Sequence, residues 1–527
     1  MSKSFPVLFL FLACAPAFAA DTAVSSAAAA GAPPVSYDYG MGQRAKGDYA
    51  GAKATFLKLL EKSPDSGGAL EGLSLACMSL GQYGEALRYL ERWNALSPRS
   101  TYVLGLLARA QNRLRDDEGA LNTYRELAAC DPRDCAVRDR LDSAMEQLRP
   151  GVFPYGRTYK SYSMEGLDTP NPQRILYSGA TAGSNFRASL RPGLDLIGGA
   201  EIREEAQKND GRGFTYYDIR EQVYSAGLNG RPSRDLSWEA EYGQSVLSDV
   251  QGSAVGNTLF SRARLAGELH AYDTDFKLTL TRAPKFLRGS GGAKFFTLLA
   301  ENSARAEAGS SRWGWDWLAR GGADHTSDGT TLGTYSLRGI KEAGANIFQA
   351  GYYHGQQEFY GGSADGKLLY VNTDRLGAGL RHIVEDKYRA AVSYDQTFFS
   401  DANRLGELGA ELTGWFPWQK EFYATYRYAL EDFGSVRSGY SSIDTRAHWL
   451  GAYWRRCHGK NWSATAGYEH GFLRDMSRGG YEGNNYIAEL EWYRADNGSV
   501  RVQGRRRNTT VSDRSYSLGL QARYSFR

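Results

Sequence analysis

Two patterns of apolar and polar positions divide this chain. Up to about residue 149 apolar residues recur at helical intervals, and from Pro150 onward apolar and polar residues alternate in short segments. The last segment, Tyr516–Phe526, is the clearest, because every even position is apolar and every odd position is polar or small. Such a segment forms a strand with one face toward hydrocarbon and the other toward water. The alternation predicts an antiparallel sheet that fills the back of the chain.

The front of the chain carries an internal repeat. Ala52, Ala86 and Ala120 are spaced by 34 residues, and other positions keep the same register. A small Ala lets two antiparallel helices approach, the larger residue four positions on fills the same face, and Pro ends the second helix. The positions assigned to repeat packing are Gly47, Tyr49, Ala52, Phe56, Pro64, Gly81, Tyr83, Ala86, Leu90, Pro98, Ala120, Tyr124 and Pro132.

A soluble β-sandwich would also alternate, so the sheet has two possible architectures. The excess of Tyr and Trp at the ends of apolar stripes suits the interfacial girdles of a membrane barrel, and a sheet this long would have costly open edges unless it closed. We therefore predict an α + β multidomain protein in which a helical solenoid precedes a C-terminal antiparallel transmembrane β-barrel. The segments give 16 to 20 strands, with about 18 as the best estimate, and a barrel of that size encloses a lumen.

The N-terminus is typical of a secretory signal, with Lys3, an apolar run and the small-residue site Ala17-Phe18-Ala19. A lipoprotein signal around Cys14 is the alternative. The predicted organisation is a signal peptide at 1–20, a disordered lead-in at 21–37, helical repeats at 38–149, a linker and possible first strand at 150–172, and the barrel at 173–527. The predicted location is the outer membrane of a Gram-negative bacterium, in contact with its lipid and with the repeats in the periplasm.

The net charge bears on nucleic-acid binding, and the cysteines bear on disulfide formation. The formal net charge is only +4, so electrostatics gives no support to nucleic-acid binding. Cys130 and Cys135 flank a short segment and in an oxidising compartment could close a small disulfide loop, while two unpaired residues are the equal alternative.

The inward positions of the alternating segments are mixed in charge. The candidate lumen-facing residues are Arg389, Asp395, Tyr423, Arg427, Glu469, Glu489, Glu491 and Arg523. Such a wall indicates neither a polyanion route nor a cation route. The basic run Arg505-Arg506-Arg507 is interpreted as a solvated turn, with contact to anionic lipid headgroups as the alternative. The sequence contains no nucleophile signature, no phosphate loop and no Cys/His metal spacing, so we expect no enzyme activity and no cofactor.

The segments Gly47–Ala52 and Gly81–Ala86 closely resemble the tetratricopeptide repeat signature, over about residues 38–148. The third unit departs from it, since Arg115 stands where Gly is expected and Asp117 where an aromatic residue is expected. Repeats of this kind imply a protein or peptide partner, and a rigid spacer is the alternative.

The order of repeats and then barrel resembles that of exopolysaccharide export porins. That resemblance implies passive export of a polymer, with the repeats docking periplasmic proteins. Surface lipoprotein assembly modifiers share the same order, so translocation of a secreted protein is the second hypothesis. An anchoring barrel is the third.

Overall fold

The computed structural model describes residues 35–131, 134–165, 173–209, 213–249, 258–272, 274–288, 296–312, 315–359, 369–384, 387–435, 444–458, 461–475, 479–494, 498–510 and 514–525. The predicted signal peptide, most of the predicted lead-in and Pro132 lie outside the described residues.

Seven helices in the described part of the chain form the N-terminal region, and each packs against the next. They are α1 (Tyr37–Ala45), α2 (Tyr49–Lys62), α3 (Gly67–Ser79), α4 (Tyr83–Leu96), α5 (Thr101–Arg113), α6 (Asp117–Cys130) and α7 (Cys135–Leu148). The prediction of a helical solenoid is confirmed. Within the described residues, none of the helices has the length and apolarity that a membrane span requires.

The repeat positions lie where helix pairs meet. Ala52, Phe56, Ala86 and Leu90 are fully buried, and Ala120 and Tyr124 are nearly so. Tyr49 and Tyr83 begin α2 and α4, and Pro64 and Pro98 follow their C-terminal ends. These positions lie in the second helix of each pair and pack against buried residues of the first helices, such as Leu73 of α3 and Leu104 of α5.

The turn inside each helix pair needs a left-handed residue. Gly47 and Gly81 take φ of +84° and +75° there, which a glycine adopts without steric cost. Arg115 occupies the third such turn with φ of +54°. The third repeat therefore keeps the same turn despite its different sequence.

The described residues after α7 form twenty strands, and each pairs antiparallel with the next. They are β1 (Gly151–Glu165), β2 (Gln173–Arg191), β3 (Leu194–Asn209), β4 (Phe214–Gly230), β5 (Leu236–Asp249), β6 (Thr258–Ala271), β7 (Thr274–Arg288), β8 (Phe296–Arg312), β9 (Trp315–Thr326), β10 (Thr331–Ala343), β11 (Asn346–Phe359), β12 (Leu369–Val384), β13 (Tyr388–Phe399), β14 (Arg404–Phe416), β15 (Gln419–Phe433), β16 (Thr445–His458), β17 (Trp462–Asp475), β18 (Gly479–Arg494), β19 (Gly498–Thr509) and β20 (Arg514–Ser525).

β1 also pairs with β20, so the sheet formed by the described strands closes and leaves none of them as an edge. The predicted antiparallel barrel is confirmed. The count of twenty lies at the top of the predicted range, and the best estimate of eighteen was too low. Connections such as Pro192-Gly193, between β2 and β3, are too short to separate two strands clearly in the sequence.

The barrel has an apolar outer face. Leu450, Leu490, Leu518 and Leu520 are about half exposed, although they lie in the middle of paired strands. Exposing this much apolar surface to water costs free energy, whereas contact with hydrocarbon does not. The outer face therefore has the character of a lipid-facing wall.

Of the two alternatives for Cys130 and Cys135, a small disulfide loop or unpaired residues, the structure has Cys130 as a free thiol. Cys130 ends α6, and its half-buried side chain packs against the cluster around Leu127 and Val137. Cys77 is also free, whereas Cys457 in β16 takes part in a disulfide.

The two free thiols are expected to differ in reactivity. Cys77 is fully buried in α3, and burial, assisted by Glu85, raises its thiol pKa to about 11. The thiolate is the reactive form, so the folded protein at pH 8 should take up N-ethylmaleimide at Cys130 and not at Cys77. Mass spectrometry of peptides from the labelled protein measures the extent of labelling at both thiols. Equal labelling of the two thiols without denaturant would contradict the packing of α3.

Candidate lumen and its helical cap

The register of the strands places the predicted lumen residues on one face of the barrel. Cross-strand pairs such as Glu411 with Arg427 and Ser499 with Arg523 carry this face from strand to strand. The eight residues on it are Arg389, Asp395, Tyr423, Arg427, Glu469, Glu489, Glu491 and Arg523. The half-exposed leucines lie on the opposite face, so this face lines the interior.

Opposite charges are paired across this wall. Each of the seven charged residues predicted to face the lumen has an oppositely charged partner within 4.0 Å. The pairs are Arg389–Glu411 (2.7 Å), Arg375–Asp395 (3.0 Å), Arg427–Glu469 (2.5 Å), Arg501–Glu491 (2.7 Å), Arg501–Glu489 (3.9 Å) and Arg523–Asp142. Paired charges leave a polar wall with a short-range field that selects for neither sign of ion.

Aromatic side chains also lie on this wall. The rings of Tyr423 and Tyr453 stack across β15 and β16. Their centroids are 4.9 Å apart, and the angle between the ring planes is 5°. The Tyr453 hydroxyl donates to Glu469, which also accepts from Arg427 and from Asn485. Because Glu469 is buried and holds three donors, this part of the wall is rigid.

The last helix, α7, enters the mouth of the barrel. Its Asp142 forms an ion pair with Arg523 of β20, and the Arg523 side chain also donates to the Asp142 carbonyl at 2.7 Å. Asp139 pairs with Arg455 of β16 at 2.7 Å. The Arg138 guanidinium lies over the ring of Tyr493 of β18, 4.3 Å from its centroid.

The pair of Asp142 with Arg523 is largely removed from water, since the two side chains are 16% and 9% exposed. Burial raises the pKa of the Asp142 carboxyl, and Arg523 partly offsets that rise. A buried pair is strongly destabilised when one partner is removed. This contact therefore holds α7 in the mouth.

A second set of ion pairs joins the helices to the opposite side of the same mouth. They are Arg109–Glu342 (3.0 Å), Arg113–Asp316 (3.4 Å), Arg115–Asp275 (2.7 Å) and Asp117–Arg231. Their barrel partners lie at the ends of neighbouring strands or in the connection after β4. We call α5 to α7 the cap, this opening the helix-side mouth, and the other end of the barrel the far rim.

A cavity of about 680 Å³ remains between α7 and the wall. Asp139 and Asp142 border it on the helix side, and Tyr423, Glu489 and Arg523 border it on the wall side. The cap therefore covers the mouth without filling the lumen.

The cap and part of the wall were not predicted from the sequence. Tyr453 and Arg455 are inward positions of β16, and the alternation in residues 445–458 could have found them. No local signal marks Asp139 or Asp142, because their partners lie more than 300 residues away in the chain.

The repeats carry a polar aromatic patch of their own. The hydroxyls of Tyr37 and Tyr102 both donate to Glu71, at 3.1 and 3.3 Å. The Tyr102 ring also meets Trp93 edge to face. These residues lie in α1, α3, α4 and α5, so the patch spans successive repeats.

Residues 43–110 match the family model of the tetratricopeptide repeat. Comparison with curated proteins gave no significant match. The helical region is similar to MamA from Desulfovibrio magneticus RS-1, at 23% identity over 21% of this chain and 63% of that one, with a TM-score of 0.20. This chain spans 62% to 64% of the MamA chains that it matches.

The barrel is similar to a structure described as a bacterial polysaccharide outer membrane secretin, at 13% identity over 71% of this chain and 98% of that one, with a TM-score of 0.30. It is also similar to the siderophore receptor PirA from Pseudomonas aeruginosa, at 12% identity over 71% and 80%, with a TM-score of 0.42. Similarities at this level do not identify a cargo or a partner.

The repeat signature, the closed sheet and its apolar outer wall together define the class of protein. It is an outer-membrane β-barrel protein with an N-terminal tetratricopeptide repeat region.

Proposed function

We propose that the barrel exports a secreted polymer, with an exopolysaccharide as first candidate, by passive conduction and without a chemical step. The observation that carries this proposal is the inner wall, which is polar and in which each of the seven predicted charged positions is paired with an opposite charge. A neutral hydroxylated chain can exchange hydrogen bonds with such a wall without being held by a strong field. Twenty strands also enclose more space than wall side chains fill.

The stacked Tyr423 and Tyr453 support a carbohydrate in particular. Their rings offer an apolar surface beside the Glu469 and Arg427 hydrogen-bonding groups. Sugar rings have apolar faces and polar edges, so the two kinds of surface side by side match them. A polyanion would instead favour a wall with unpaired cations.

The proposed orientation places the helix-side mouth in the periplasm. The connections at that end are short, whereas some at the far rim are longer, as between Phe433 and Thr445. Outer-membrane barrels have short periplasmic turns and longer outer loops. In this orientation the repeats dock a periplasmic protein, for which the patch of Tyr37, Glu71 and Tyr102 is a candidate surface. The cap must then move aside when a polymer enters.

The test is deletion of the gene, followed by assays of surface polysaccharide and of surface-exposed lipoproteins. We expect loss of the polysaccharide and its return with the wild-type chain. The lumen variant Tyr423→Ala/Tyr453→Ala should restore clearly less polysaccharide. The matched control Tyr426→Ala/Tyr468→Ala removes two tyrosines from the outer face of β15 and β17 and should restore it fully.

The other outcomes of this experiment separate the rival functions. Loss of surface lipoproteins with normal polysaccharide would replace the proposal by protein translocation. Loss of neither would leave an anchoring barrel.

A further inference from the structure

A shallow groove crosses the outer face of the barrel near the far rim, where β18, β19, β20 and β1 lie side by side. Four residues form one row across these strands, in the order Tyr486, Arg506, Tyr516 and Lys160. The row alternates aromatic and cationic side chains. It lies close to the far ends of β19, β20 and β1.

The next row toward the helix-side mouth is mostly small and apolar. It consists of Ala488, Gly504, Leu518 and Thr158. A Cβ built on Gly504 would meet no atom within 4 Å, so the surface is open at this point. The groove over these residues has a volume of about 440 Å³ and is lined mainly by apolar atoms.

The two cations at the head of the groove have no acidic partner among the described residues. Lys160 lies 5.5 Å from the ring of Tyr162, and the Arg506 guanidinium lies 5.6 Å from the ring of Tyr516. Unpaired cations beside an apolar surface are costly unless an anion meets them. They differ in this from the seven predicted lumen charges, each of which is paired.

The basic run that contains Arg506 is not the solvated turn predicted from the sequence. It lies within β19, where Arg505 and Arg507 are on the lumen face and Arg506 is on the outer face. The pairing of β19 with both neighbours holds Arg506 in the row with Lys160.

We propose that this groove binds a phosphorylated, acylated glycolipid of the outer leaflet, with the chemistry of lipid A. Its phosphate contacts Lys160 and Arg506, and one acyl chain lies over Gly504 and Ala488 between Tyr486 and Leu518. The charge of the row matches a phosphate, and the apolar groove continues from the row toward the middle of the barrel, as an acyl chain does. The proposed site depends on the proposed function only through the orientation of the barrel in the membrane.

The first test is native mass spectrometry of the full chain in mild detergent, titrated with bis-phosphorylated lipid A. The variant Lys160→Gln/Arg506→Gln is expected to bind about tenfold more weakly or worse, because two charge-assisted contacts are lost. Dephosphorylated lipid A should bind the wild type and this variant equally. Phosphatidylglycerol binding as tightly as lipid A would overturn the choice of glycolipid.

A matched control separates a defined site from diffuse attraction to the rim. Arg446 and Arg474 face each other on the outer side of β16 and β17, also near the far rim. Arg446→Gln/Arg474→Gln removes the same charge and should leave lipid A affinity within about twofold of the wild type. An equal loss in both double variants would overturn the groove.

The second test fills the groove and leaves the charges in place. Gly504→Leu adds a side chain where nothing lies within 4 Å, so the strand should tolerate it. Gly267→Leu is the control, because Gly267 lies on the outer face of β6 with equally open space. Lipid A affinity should fall severalfold only in Gly504→Leu, and unchanged affinity would overturn the acyl-chain contact. Polysaccharide export in the deletion strain is a separate readout, so either proposal can fail alone.

Discussion

Reversing two charges on α7, as Asp139→Lys/Asp142→Lys, is expected to open the helix-side mouth and to raise the single-channel conductance severalfold. In this variant a lysine at position 142 faces Arg523, and a lysine at position 139 faces Arg455. Breaking a buried pair costs about 3–5 kcal/mol, so the contact of Asp142 with Arg523 dominates. The more exposed pair of Asp139 adds about 0–1 kcal/mol. Planar lipid bilayers measure the result directly.

The control reverses two exposed carboxylates in α2 and α4, outside the cap. Glu61→Lys/Glu91→Lys changes the net charge by the same amount, and its conductance should equal that of the wild type. Adding Arg455→Glu/Arg523→Glu to the α7 variant exchanges the signs of both pairs and should lower the conductance again. If the α7 variant conducts like the wild type, the cap does not obstruct the lumen.

The four pairs on the other side of the mouth should contribute less. Both partners of the Arg109 and Arg113 pairs are about half exposed, so water and salt screen them. The cap is therefore anchored mainly on the side of β16, β18 and β20. We expect the cap to separate first from the side of β4, β7, β9 and β10, where its contacts are weaker.

Local patterns were sufficient to predict both domains. The alternation of Tyr516–Phe526 predicts β20, which the structure has at Arg514–Ser525. The spacing of Ala52, Ala86 and Ala120 predicts three helix pairs, because each pair must repeat the same close approach. A structural feature that depends on residues close together in the sequence can be predicted from the sequence alone.

Contacts between distant segments were not predictable in this way. Asp142 and Arg523 are 381 residues apart, and nothing beside either residue indicates the other. The turn at Arg115 was not predictable either. It has the same left-handed conformation as Gly47 and Gly81, but an Arg does not indicate that conformation as a Gly does. The cap depends on both features, and this is why it emerged only from the structure.

The second large effect is expected from Phe56→Ala in the repeats. Phe56 is fully buried and packs with Ala52, Leu73 and Ala76. Its ring fills space that Gly40 and Gly72 leave free, because a Cβ on either glycine would come within 3 Å of it. Truncating such a ring costs about 3–5 kcal/mol, a large part of the roughly 5–15 kcal/mol that stabilises a domain.

The repeats should therefore unfold at a much lower temperature while the barrel stays intact. Circular dichroism at 222 nm follows the helices, and the heat-dependent mobility of the barrel in SDS gels follows the strands. Leu96→Ala is the matched control, since Leu96 ends α4 and is 44% exposed, and it should shift the helical transition little. If Phe56→Ala melts both domains together, the cap and the barrel form one cooperative unit, and α7 then unfolds only with the strands it contacts.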